Sequence, residues 1–324
     1  MDVANKIGVK AVRLTDSTLN LAIMIAIMLL LVFGGYALWD SHQVYAAASS
    51  NQYAAYKPTD ENKGLTFQQL QAINPEVISW LTVYGTHIDY PVAQAKDNLK
   101  YINTDAMGKH SLSGSLFLDK DCSPDFSDFS SIIYGHHMDK DTMFGEIGLF
   151  SSQSYFNARK YGVLYTGGKE HGLEFFAFLH VDAYDGAIYQ TKITGQSAQQ
   201  AYLDLLKSTA KFTRSDVSVT PNDHIVLLST CSEETTNGRD ILVGKITDNV
   251  PADPFGGAAS NRGTGIAVLD SLLDLWNKAS LPVKIAIVAL PFLLILLLVA
   301  LLIKKKKKKH SLEEHDKGTR EGDE

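Results

Sequence analysis

The segment "VLLSTCSEETTNGRDILVGKI", residues 226–246, sets one cysteine, Cys231, at the end of an apolar β-type run and an arginine, Arg239, eight positions later. A cysteine nucleophile needs a base or cationic partner to manage its proton, and donors for the oxyanion that forms on attack. At the end of the run "HIVLLST", Cys231 would stand at the rim of a sheet, where a substrate can reach it. The backbone N–H of Ser232 could then face the developing oxyanion, and Ser229 joins Ser232 as an oxyanion or substrate-binding candidate. Arg239 would return alongside Cys231 if the two runs pair antiparallel across the intervening "SEETTNG". A guanidinium stays protonated, so its role would be to hold a carbonyl or oxyanion rather than to accept a proton. Spacing alone leaves the plainer reading standing, in which Cys231 is a small buried hydrophobe and Arg239 a solvated or ion-paired surface group.

Of ten histidines, only the pair in "IIYGHHMDKDTMFGEI" follows directly on a β-type run and a glycine. Gly135 would turn His136 out of the strand end, giving an imidazole placed for general acid or base work. His137, Asp139 and Asp141 beside it could also be read as a metal cluster, but their spacing matches no ligand pattern of defined geometry, so neither metal nor cofactor is expected. His87, His110, His180 and His224 have no distinctive context and read as structural or exposed. The two cysteines, Cys122 and Cys231, are too few for a disulfide scaffold. They could pair once or stay free, and free thiols are expected, since pairing would mask the nucleophile.

The elements that must position these groups are short. Between residues 80 and 246 lie eight β-branched and aromatic runs: "WLTVYG", "IDYPVA", "GSLFLD", "SSIIYG", "GVLYTG", "EFFAFLHVDAY", "HIVLLST" and "DILVGKI". They predict a mainly β domain, a closed barrel or a sandwich. Between the sixth and seventh, "TGQSAQQAYLDLLKSTAKF" places Ala198, Tyr202, Leu205 and Leu206 at helical spacing, an inserted helix. Short helices should open the domain, one with Thr66 as N-cap and Gln69 three residues on, another with Asn74 as cap and Pro75 at its first position.

Two apolar blocks, residues 21–39 and 285–303, are each long enough to cross the roughly 30 Å hydrocarbon core as a helix. Lys6, Lys10 and Arg13 precede the first and six consecutive lysines, residues 304–309, follow the second, which keeps both termini cytoplasmic and the intervening domain outside. The first block could alternatively be a cleaved signal peptide ending near "YAAASS", although it exceeds the usual h-region of about 7 to 15 residues. The expected division is a cytoplasmic N-terminus at 1–18, a transmembrane helix at 19–40, an extracellular tether at 41–64 and a folded domain at 65–250. A linker with an amphipathic helix at 251–282, a second transmembrane helix at 283–303 and a lysine-rich cytoplasmic tail at 304–324 complete it. The net charge of −6 includes that lysine run, so the exported part is more acidic than the total, which argues against nucleic acid as a partner.

"STC" with an arginine eight residues on, the earlier "YGHHM", and the stretch from "WLTVYGTHIDYPVAQAKDNLKYINTD" to "GSLFLDKD" together resemble the sortases, closest to class B, over residues 66–247. The resemblance implies an eight-stranded sortase barrel with N-terminal helices and a helix between the sixth and seventh strands, and a cysteine transpeptidase whose catalytic positions match His136, Cys231 and Arg239. It implies attack by Cys231 on a threonine carbonyl in the C-terminal sorting signal of a surface protein, a thioacyl enzyme, and transfer to an amine of a peptidoglycan precursor or a pilin. His136 would protonate the leaving amine and Arg239 would steady the carbonyl. The second span is more familiar from pilus-assembling sortases, while the Asp-Pro-Phe of "ADPFGG" follows the barrel and reads as a linker turn, not an inhibitory lid. A cysteine peptidase using water as acceptor and a non-catalytic surface binding module are the competing readings. The sorting motif depends on loops such as residues 186–194, whose conformation the sequence does not give.

Overall fold

A computed structural model describes residues 2–59, 65–138, 141–231 and 237–256. Each of the eight runs is a strand: β1 (Val77–Val83), β2 (Asp89–Ala93), β3 (Leu116–Leu118), β4 (Ser130–Tyr134), β5 (Tyr161–Thr166), β6 (Lys169–Asp182), β7 (His224–Cys231) and β8 (Gly238–Thr247). They pair in the order β8-β7-β4-β3-β2-β1-β5-β6, and β6 pairs again with β8, which closes an eight-stranded barrel. Closure leaves the ring without a free edge, so every strand finds partners for its backbone groups on both sides. The neighbours run antiparallel except β2 with β3 and β4 with β7, which are parallel.

Alternation sorts the side chains of β4, β7 and β8 between two clusters, as period-2 geometry requires. Ile133, Val226, Leu228 and Leu242 join the cluster that draws on all eight strands and fills the barrel. Ile132, Ile225, Leu227, Ile241 and Val243 join a second cluster with the inserted helix α4 (Gln196–Thr209; the short helix α3, Gln153–Ala158, precedes β5), which therefore covers the outer face of these strands. Tyr202, Leu203 and Leu206 form the buried face of α4; Ala198, counted with that face by its spacing, is exposed.

The opening of the domain differs from the sequence reading. The first helix of the domain, α2, spans Leu65–Ile73, so Thr66 lies inside it rather than capping it, and its hydroxyl donates to Lys57 O at 3.1 Å. No helix starts at Pro75. Asn74 instead makes a turn, accepting from Glu76 N and donating to Tyr101 Oη and Ala106 O, and the β-branched run then enters β1 at Val77, three residues before Trp80. The long helix α1 (Asp2–Ala48) carries the first apolar block, with Leu21, Leu29, Leu31 and Phe33 exposed, and it is long and apolar enough to cross a membrane. Part of the stretch read as a tether is packed: Ala48 and Tyr53 are buried, Tyr90 Oη donates to Ala48 O at 2.9 Å, and Lys57 Nζ sits 2.8 Å from Asp89 Oδ2. The polar composition conceals this, because the buried Ala48, Tyr53 and Pro58 are spaced among polar and alanine residues left exposed or half-buried. After β8 the chain folds back, with Tyr84 Oη donating to Pro251 O at 3.2 Å and the Phe255 ring against Gly85. The amphipathic helix, the second apolar block and the lysine run lie outside the described residues.

Cys122 sits in a polar segment but is buried and free, its thiol 3.9 Å from Ser130 O. Burial, with Asp119 and Asp128 nearby, pushes this thiol up to about 12. Thiolate is the reactive form. Cys122 is therefore expected to resist iodoacetamide at pH 8 in the native protein and to react once the chain is denatured, as read by mass spectrometry of its peptide. Labelling at the same rate before and after denaturation would contradict the burial described.

Candidate active site

The β7–β8 hairpin pairs antiparallel without interruption from His224↔Ile246 to Cys231↔Arg239, so positions 231 and 239 stand directly opposite at the last rung. In an antiparallel sheet such opposed positions share one face. Strand β4 lies parallel to β7 with Tyr134 opposite Ser229, and the ladder is extended by Gly135 N donating to Ser229 O at 3.2 Å. His136 and Cys231 each follow that pair by two residues. The three positions expected to do chemistry thus come to one end of the barrel from three strands.

Gly135 makes the exit from β4 possible. A Cβ there would stand 2.7 Å from Phe144 Cδ2 and would also meet Leu116, so only glycine fits. The main chain of His136 is held by Phe144 N, which donates to His136 O at 3.0 Å. Its ring is held by Ile102, whose carbonyl lies 2.9 Å from Nε2. A carbonyl can only accept, so Nε2 carries the proton in this arrangement and Nδ1 is left as the basic nitrogen of the neutral ring. Arg239 is half-buried and donates from Nη1 to Gly238 O at 2.8 Å, which orients the guanidinium and leaves its other donors for a substrate.

Ser229 is buried, with its hydroxyl 3.0 Å from Tyr189 Oη. The Tyr189 ring stacks on Tyr134 with centroids 6.3 Å apart, and Tyr134 Oη donates to Asp119 Oδ2 at 3.1 Å. Burial and the Asp119 carboxylate hold the Tyr134 phenol well above the ordinary range, so it remains a donor. Ser229 therefore belongs to a polar and aromatic wall beside the site. The sequence reading missed Tyr134 and Asp119; Tyr189 lies in the loop it singled out. Ser232 lies outside the described residues.

Of the residues read as a possible metal cluster, Asp139 lies outside the described residues; among the described residues, a group with ligand atoms within 4.8 Å of one another is His87, Asp141 and Glu146. Both Glu146 oxygens are already engaged, Oε1 by Tyr155 Oη at 2.9 Å and Oε2 by His87, with Nδ1 at 3.1 Å. These three side chains tie the β1–β2 turn to the segment after β4.

No protein-family model matches the sequence. The sortase B of Listeria monocytogenes serovar 1/2a is 30% identical over 209 residues, which cover 64% of this chain and 82% of that protein. The chain belongs to the class B sortases. Among solved structures, the sortase B from the type II pilus of Streptococcus pneumoniae is 49% identical with a TM-score of 0.50, covering 56% of this chain and 99% of that one. A Streptococcus pyogenes class B sortase involved in pilus biogenesis is 39% identical with a TM-score of 0.52, covering 57% of this chain and 99% of that one. The closed eight-stranded barrel of this sortase is the fold that the sequence resemblance implied.

Proposed function

We propose that this sortase is a membrane-anchored cysteine transpeptidase that cuts the C-terminal sorting signal of surface proteins and passes the acyl group to an amine. The observation that carries this reading is the last rung of the β7–β8 hairpin, where positions 231 and 239 stand opposed beside the end of β4 that presents His136. The Cys231 thiol gives its proton to His136 as the sulfur attacks the threonine carbonyl carbon, and the carbonyl oxygen takes up negative charge. Arg239, with the Ser232 N–H, stabilises that oxygen. The C–N bond then breaks, His136 delivers a proton to the departing amine, and a thioester to Cys231 remains. An incoming amine attacks the thioester carbonyl, gives a proton to His136 and forms a new amide as the thiol leaves. Tyr189 and the loop that holds it flank the acyl side of the substrate.

Helix α1 serves as the anchor, and the block at 283–303 with its lysine tail as a second span, which leaves the barrel outside and both termini in the cytoplasm. The pilus association of the two streptococcal sortases favours a pilin lysine as acceptor over a wall cross-bridge. Incubating the protein with a sorting-signal peptide, with and without triglycine or a lysine peptide, distinguishes transfer from hydrolysis. The expected product with amine present is the amide adduct. Carboxylic acid alone under both conditions would indicate a peptidase, and no cleavage of any sorting-signal peptide would favour a binding module.

A further inference from the structure

Helix α1 ends against the barrel rather than in a free tether. Leu38 is 76% exposed, Val44 and Tyr45 are half-buried, and Ala48 is buried with its carbonyl accepting from Tyr90 Oη at 2.9 Å. With the apolar block ending at Trp39, a rise of about 1.5 Å per residue places Ala48 no more than about 14 Å beyond the hydrocarbon boundary. The headgroup layer takes up roughly 5 to 8 Å of that distance. The part of the barrel that meets the end of α1 therefore lies close to the bilayer surface.

The chain continues from α1 into a short 3-10 helix, Ser50–Tyr56, which packs on the connection between β2 and β3. Tyr53 is buried, and its Oη accepts from Ala106 N at 3.4 Å. Ala106 belongs to a tip, "NTDAMGKHSL" at residues 103–112. A bridge between Thr104 and His110, and Ser111 N donating to Asn103 O at 3.0 Å, join its two arms. Asp105 fixes the turn between them, its Oδ1 accepting from Met107 N at 2.9 Å and from Lys109 N at 2.8 Å. These bonds turn inward the one carboxylate that the tip contains, while Lys109, His110 and Leu112 stay exposed. On the flanking segments, Asp97 accepts from Leu99 N and Lys100 N, and Glu76 pairs with Lys100 Nζ at 2.6 Å. A single exposed leucine is ordinary. Leu112, however, is 64% exposed on a fixed turn that carries a lysine, beside the point where the chain leaves the membrane. A cation next to an aliphatic side chain suits an anionic lipid surface, the ammonium meeting headgroups and the leucine reaching the acyl boundary.

We propose that the tip at 103–112 docks on the anionic phospholipid surface of the membrane that holds α1, with Lys109 on headgroup phosphates and Leu112 at the acyl boundary. Ile102, at the base of the tip, is the residue whose carbonyl lies 2.9 Å from His136 Nε2. Docking thus holds the site end of the barrel near the bilayer, within reach of a substrate that is still attached to the membrane. It rests on the reading of α1 as a membrane anchor, and the two can fail separately.

The test uses the full chain with Cys231→Ala, reconstituted in vesicles of phosphatidylglycerol and phosphatidylcholine, with an environment-sensitive fluorophore on one introduced cysteine at a time. The buried Cys122 stays native. His110→Cys reports on the tip, Lys207→Cys on the exposed face of α4, across the ring from β2, and Leu31→Cys on the apolar stretch of α1. Nitroxide on the lipid headgroups is expected to quench the probe at 110 at least about threefold more than the probe at 207. Lys109→Glu with Leu112→Asn should bring quenching at 110 down to the level at 207, and vesicles of phosphatidylcholine alone should lower it about twofold. Both substituted side chains are exposed, so the melting temperature should not change. Quenching at 110 that never exceeds that at 207, that survives the double substitution, or that is equal in the two lipids overturns the docking. Nitroxide on the acyl chains should quench the probe at 31, and its failure to do so overturns the anchor instead.

Discussion

Replacing Cys231 with alanine is expected to remove amide transfer from a sorting-signal peptide by at least about 10⁴-fold, the scale on which acyl-transfer enzymes lose rate when their nucleophile is deleted. The reason is categorical. Alanine leaves no atom to form the thioester, so the reaction loses its two-step path, while Arg239 and His136 remain at the barrel end. The position lies on the final rung of the hairpin, where its backbone is already fixed by seven preceding pairs from His224↔Ile246 to Thr230↔Asp240. The substitution should therefore leave the melting temperature nearly unchanged. Intact-protein mass spectrometry after mixing with substrate supplies the second readout, since the native chain should gain the mass of the acyl fragment and the alanine variant should not. Surface-protein anchoring that continues at the normal level in cells carrying only Cys231→Ala would refute the transpeptidase reading and favour a binding role for the barrel.

That prediction depends on a part of the molecule that was readable without coordinates. The eight strands could be located because their β-branched runs are separated by turn residues, and the expected return of Arg239 alongside Cys231 follows from antiparallel pairing of two adjacent runs. The barrel's closure was not readable from those runs, which suit a sandwich equally; it depends on β6 pairing with β8, elements separated by α4 and β7. His180 carries no local signal of its role, since its partner Asp240 is 60 residues away in sequence and becomes its neighbour only across that closing seam. Tyr134 and Asp119 were missed for the same reason. Local rules misread the caps at the opening of the domain, where Thr66 and Asn74 both carry the right residue types for caps. Asn74 is drawn instead into contacts with Tyr101 and Ala106, which only the folded chain provides.

Replacing Arg239 is the second large effect, and its two variants should separate charge from geometry. Arg239→Ala is expected to lower kcat by about 10² to 10³-fold, the cost of losing a donor aimed at a developing oxyanion. Arg239→Lys keeps the charge but replaces a planar fork by a single rotatable ammonium. The fork matters here because Nη1 is spent on Gly238 O at 2.8 Å, so one arm anchors the group while its other donors remain for a substrate oxygen. A lysine that makes the anchoring bond has no second nitrogen to offer, and one that reaches the substrate gives up the anchor. It should therefore recover only a small part of the lost rate, within about tenfold of the alanine variant. KM should change less than kcat in both, because the interaction strengthens as charge builds on the carbonyl oxygen. Steady-state kinetics of amide transfer measure the split. Full activity in Arg239→Lys would reduce the residue to a point charge, and a loss confined to KM would move it from the oxyanion to ground-state substrate binding.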